Sequence, residues 1–95
     1  MSKEKFKESL QFNTPPDSLS ELQTGLWFAA KGNWEAAHNV AQEHEGEKDF
    51  DLLHAYLHRV EGDRGNANYW YNRAGKNIPS KSLKEELDEL IGLWA

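Results

Sequence analysis

Cysteine is absent from this chain of 95 residues. That excludes disulfide staples and thiolate metal sites, and leaves packing as the source of stability. Nothing in the sequence calls for an oxidising compartment. Long apolar runs are also missing: the stretch MSKEKFKESLQF at the start is charged, and no segment approaches the roughly 20 apolar residues of a membrane span. The expectation is a cytoplasmic protein with no membrane segment. Positive charge is scarce, with 11 Lys and Arg against 16 Asp and Glu, for a net charge of −5. This argues against general affinity for nucleic acid or anionic lipid, so nucleic acid is a minor reading. Enzyme signatures are lacking too. There is no glycine-rich phosphate loop, no nucleophile elbow, no Glu between metal-spaced histidines in the zinc-protease pattern and no thiol nucleophile.

A chain of this length fits one domain with a thin core, burying roughly 60–65% of its extended surface. No segment alternates with the period of two that a strand requires, whereas apolar residues recur at helical spacing. The fold class read from this pattern is all-α, with four to five helices in packed antiparallel hairpins. Residues 1–17 are an N-terminal arm or short helix, broken by Asn13 to Pro16, and residues 18–95 are a single helical-hairpin domain. Ser18 and Glu21 have capping-box spacing ahead of Leu19, Leu22, Leu26 and Ala29. Asn33 caps a helix of about 34–44 that carries Trp34, Ala37, Val40 and Ala41 inward. Asp49 caps another with Phe50, Leu53, Leu57 and Val60 in register, and Gly62 ends it. Residues 64–74 present Ala67, Trp70, Tyr71 and Ala74. Ser82 and Glu85 form a second capping box before Leu83, Leu87, Leu90, Ile91 and Trp94.

A weak internal repeat runs through the middle of the chain. Gly32-Asn33 and Gly62-Asp63 both stand at helix–helix turns, each followed by alanine at the fifth position after the glycine, Ala37 and Ala67. Small residues stand seven positions before each glycine, at Gly25 and Ala55, with Phe28 and His58 four before. This arrangement resembles the tetratricopeptide family and its Sel1-like relatives over residues 19–75. The resemblance implies that a small residue in the first helix of each pair meets an alanine in the second, that an aromatic seals the far end, and that the surface binds a protein or peptide. Glu21 and Asp51 stand where the family has its first large aromatic. The final helix would serve as the solvating cap of the stack. The segment HAYLHRVEGDRGNANYWYNRAG also resembles the signature of a small family of bacterial and fungal proteins with no activity attached to it, and so implies none.

Two residue groups carry chemistry. His54 and His58 are four apart on the 49–61 helix, the spacing by which a helix clamps a divalent ion. Asp51 and Glu61 extend that stripe, beside the apolar one. Packing of one hairpin on the other would bring His38 alongside and complete a mixed site of His38, His54, His58 and Glu61, suited to Zn, Ni or a redox metal such as Mn. The same His54, His58 and Glu61 could serve acid–base chemistry near neutral pH. The plainer alternative is a pair of hydrogen-bonded core histidines beside a solvated acidic face. His44, between Glu43 and Glu45, reads as solvent-exposed.

The second group is Arg59, Arg64 and Arg73 with Tyr56, Tyr69 and Trp70. Guanidinium and aromatic faces together hold a phosphate, a carboxylate or a peptide terminus. Consecutive Tyr69, Trp70 and Tyr71 cannot all face inward, so at least one is exposed. The leading functional reading is a small intracellular binding or scaffold module that takes a protein or peptide partner, with binding residues His54, His58, Arg59, Glu61, Tyr69, Trp70 and Arg73. The alternative is a metal-binding or metal-dependent protein built on the 49–61 helix. Self-association into a homo-oligomer is a further expectation from the exposed apolar surface of a two-repeat protein.

Overall fold

Most helices of this protein start where a short polar side chain replaces a missing backbone partner. The computed structural model describes residues 2–95, and among them the chain forms six helices and no strand: α1 (Lys3–Ser9), α2 (Glu21–Ala30), α3 (Trp34–Glu43), α4 (Lys48–Val60), α5 (Arg64–Arg73) and α6 (Leu83–Trp94). The all-α class is as expected, with α1 raising the helix number to six. Asn33 accepts from the Ala36 N–H at 3.2 Å and Asp63 from the Asn66 N–H at 3.1 Å. Ser82 and Glu85 form the expected capping box.

Two starts differ from expectation. The first capping box is Ser20 with Gln23, because Leu19 N–H bonds the Pro16 carbonyl and spends Asp17 and Ser18 on a turn. Likewise α4 begins one residue after Glu47, which makes no side-chain cap, and Asp49 instead lies in the first turn, where the helix dipole favours it.

The two hairpins, α2–α3 and α4–α5, turn at Gly32 and Gly62, whose φ values of 80° and 85° favour glycine over residues with a Cβ. They pack on each other through α3 and α4, and α2 also touches α4. Gly25 permits that approach: a Cβ there would lie 2.8 Å from Leu53 Cδ2 and 3.0 Å from Val40 Cγ1. Helix α4 is central, and every residue from Phe50 to His58 is buried. Val60, read as part of its inner stripe, is the last residue of the helix and 42% exposed. Burial around the whole circumference of α4 distinguishes it from the one-sided helices at the surface.

The remaining helices close the core from one side. Phe6 of α1 is fully buried, and Ser9 receives the Trp27 indole N–H through both its carbonyl and its hydroxyl at 3.2 Å. Within residues 1–17, expected as an arm or short helix, α1 is therefore a helix that shares the core. Lys3 and Lys7 reach Asp88 on α6 at 3.3 and 2.7 Å. Helix α6 lies on α1, α2 and α4, leaving the outer face of α5 uncovered by it. Its one buried charge, Glu86, accepts from Arg59 Nη1 at 2.7 Å and from the Tyr71 hydroxyl at 2.5 Å. Arg59 also donates to the Lys81 carbonyl. No helix among the described residues is long and apolar enough to cross a membrane.

Candidate metal centre

The three histidines nominated from spacing and hairpin packing converge. His38 follows Trp34 by one turn on α3, and His54 and His58 stand one turn apart on α4, so the α3–α4 contact brings all three together. Each offers one ring nitrogen to a set whose members all lie within 4.8 Å of one another. Ring centroids are 4.9 Å apart for His54 and His58, 4.6 Å for His38 and His54, and 5.4 Å for His38 and His58. His54 and His58 are buried, while His38 is half-buried and forms the edge nearest solvent. A tetrahedral zinc with Zn–N bonds of about 2.0–2.1 Å sets its nitrogens roughly 3.3 Å apart. The ring nitrogens, within 4.8 Å of one another, would have to close by up to about 1.5 Å to reach that spacing.

Aromatic rings fix the walls. Trp34 stacks on His38 at 4.6 Å and 11°, and its indole N–H donates to the Leu57 carbonyl at 2.7 Å, which anchors it to α4. Trp70 of α5 stacks on His54 at 3.9 Å and 15°. His54 Nδ1 is buried and has no hydrogen-bond partner. An unpartnered buried ring nitrogen is costly unless something satisfies it. Burial, then the neighbouring imidazoles of His38 and His58, push the His54 pKa down to about 4. Burial also lowers that of His38, helped by His58 and opposed by Glu61. Neutral imidazole is the form that binds metal.

Glu61 has a defined place. Its Oε1 lies 2.6 Å from His58 Nδ1, so that a carboxylate acceptor holds the ring proton on Nδ1 and leaves the Nε2 lone pair free. A carboxylate on the outer nitrogen of a ligand imidazole orients the ring and raises its basicity. Glu61 thus stands behind His58, where the spacing argument had it as a ligand. Asp51, placed on the same stripe, is instead buried in the first turn of α4 and accepts the Gly46 N–H at 3.0 Å. Its carboxylate tethers the α3–α4 loop and takes no part in the cluster.

The Arg and aromatic group does not hold together as one surface. Arg59 is committed to Glu86 and Lys81, and Tyr56 is buried. Trp70 is 7% exposed and faces His54. Tyr69, 52% exposed, and Arg73 remain outside with Arg64. Arg73 lies over both the Tyr69 and Trp70 rings, at 5.8 and 5.1 Å. His44, read as exposed, is half-buried: it stacks on Phe50 at 4.1 Å and bridges Glu21 of α2 and Glu47 ahead of α4. The signal for this lay in Phe50, six residues on and buried, which needs a cover at the same end of α4. Comparison with family models, curated proteins and solved structures finds no match to this chain.

Proposed function

We propose that this protein binds a divalent metal ion at a centre formed by His38, His54 and His58, with Glu61 as the orienting partner of His58. The observation that carries this reading is the convergence of three imidazoles from two helices, two of them buried and one with an unpartnered ring nitrogen. The donor set is neutral and all-nitrogen. Such a set favours zinc, nickel or copper, whereas manganese and the alkaline earths prefer oxygen. Among the ions suggested by the sequence, zinc and nickel therefore fit and manganese fits poorly. A bound ion would supply Lewis acidity at the fourth, open position and would join α3 to α4 across the hairpin interface.

Calorimetric titration of the protein with Zn, Ni and Mn ions tests this. One equivalent of zinc or nickel is expected to bind, with manganese much weaker, and binding is expected to vanish in the His54→Ala/His58→Ala double variant. The half-buried His38→Ala variant, which disturbs the core less, is expected to lose most of the affinity while keeping its helical spectrum. Absence of binding to the unaltered protein would overturn the proposal. Glu61→Gln is a finer probe: the amide no longer polarises His58, and affinity is expected to fall by roughly 10–100-fold. Unchanged affinity in that variant would remove Glu61 from the centre.

A further inference from the structure

Charge is segregated along this chain. From Arg64 to Ser82 there is no acidic residue, although the protein as a whole is acidic. From Glu43 to Asp51 the balance is reversed, with Lys48 the one basic residue among five acidic ones. Three acidic side chains of the α3–α4 loop and its flanks, Glu43, Glu45 and Asp49, are exposed, as are Arg64, Arg73 and Lys76 on and just beyond α5. Among the described residues none of these six forms an ion pair within the chain.

The two patches are neighbours. Hairpin α4–α5 turns tightly at Gly62, which sets the end of α5 beside the start of α4, and the charge on Arg73 is favoured first by Tyr69, which accepts its hydrogen bond, and then by Asp51 and Glu45. The outer face of α5 presents Asn68, Tyr69, Asn72 and Arg73, with Tyr69 half exposed under the Arg73 guanidinium. Tyr and Arg are the residues that protein interfaces favour, and here each pre-orders the other.

From these observations we infer that the α5 face is a docking surface for a second copy of this chain, whose acidic Glu43–Asp49 segment lies across Tyr69, Arg73 and Lys76. Because the patches adjoin, a twofold axis past the end of the hairpin makes both contacts at once, each copy giving its acidic segment and receiving the other's. The net negative charge of each copy opposes approach at long range. At about 0.1 M salt the Debye length is roughly 10 Å, so contacts between the patches outweigh the remainder. A ten-residue helix face is about 15 Å long. The interface is accordingly small and the association weak, at the transient end of the size range, below about 1,200 Å².

Sedimentation velocity with a chelator present tests this independently of any metal. The weight-average mass is expected to rise towards the dimer with protein concentration at about 0.1 M salt and to return to the monomer at about 0.5 M salt, a concentration at which the Debye length is roughly 4 Å. Arg73→Glu/Lys76→Glu and Glu43→Lys/Glu45→Lys, each checked for native helicity, are both expected to stay monomeric. Their equimolar mixture should recover association, because the altered segment of one no longer meets its own kind. A monomer at every concentration, association indifferent to salt, or charge variants that still self-associate would overturn the inference. So would a monomer whose Tyr69 and Arg73 signals respond to an acidic peptide or a single-stranded oligonucleotide instead.

Discussion

Replacing Arg59 with Met is expected to cost about 3–5 kcal/mol of folding stability, the penalty of leaving a buried charge without its partner. Glu86 is 4% exposed and accepts two hydrogen bonds, one from Arg59 and one from Tyr71. Removing the guanidinium leaves its carboxylate with a single neutral donor, while the Lys81 carbonyl loses its contact with Arg59 as well. Burial and the adjoining Glu86 hold the Tyr71 pKa well above its ordinary value, so the phenol stays a neutral donor and supplies no charge in place of the guanidinium. Against a typical domain stability of about 5–15 kcal/mol, the loss threatens the fold itself. The double variant Arg59→Met/Glu86→Leu is expected to regain most of it, since an apolar pair of similar volume avoids desolvating either charge. Urea unfolding of the four proteins of the cycle measures both effects. A loss below about 1 kcal/mol in the single variant would mean that water reaches Glu86 and that this pair is an ordinary surface bridge.

This triad explains why the sequence misled at Arg59. Arg59 reads with Arg73 and Tyr69 as part of a binding surface because guanidinium and aromatic faces together hold anionic groups. Helix α4 is buried all round, so its polar residues needed partners from other helices: Arg59 found Glu86, and Asp51 found the Gly46 N–H. The clue was available in α6, where Glu86 falls four residues before Leu90 on the inward stripe and required a cation opposite. Periodicity and caps placed the helices because they are local properties, settled within one or two turns. His54 and His58 were legible for the same reason. The approach of His38 depended on one hairpin packing on another, and that could be anticipated from the repeat of turns at Gly32 and Gly62. Trp70 against His54 could not, because the stripe Ala67, Trp70, Tyr71 and Ala74 turns the ring inward without telling which residue of the neighbouring helix it meets.

Lowering the pH from 6.5 to 4 is expected to destabilise the metal-free protein by about 3 kcal/mol through His54, with carboxylate protonation adding its own effect towards the low end of that window. His54 titrates near 4 in the folded state against 6.5 unfolded. Between those values the unfolded chain binds the additional proton, so stability rises with pH across the window and is lost as pH falls through it. The groups facing His54 support that direction: His38 from α3 and His58 one turn along both disfavour a charge on it, and Trp70 from α5 covers its ring. Arg73 beyond Trp70 adds no acceptor, and Glu61 is engaged by His58. His38, also lowered, acts in the same sense. His44 acts in the opposite one, because Glu47 and Glu21 raise its pKa, so its contribution is complete below 6.5 and fades as pH rises past its folded value. The lowered carboxyls of Asp63, Glu85 and Asp88 lose their contribution only below about 4. Urea midpoints at pH 7.5, 6.5, 5.5 and 4.5 with a chelator should trace a steep fall over the middle of that range, and His54→Gln should flatten it. A zinc-loaded sample should begin its fall from a higher plateau, since an ion that binds only the folded state adds about 2.7 kcal/mol at a hundredfold excess over its Kd. Acid would then compete with the metal for the same three imidazoles, and the loaded protein should lose its advantage at the low end of the series. An equal, pH-independent profile for the unaltered protein and His54→Gln would mean that His54 is open to water, and that the cluster lacks the buried neutral character on which the metal reading depends.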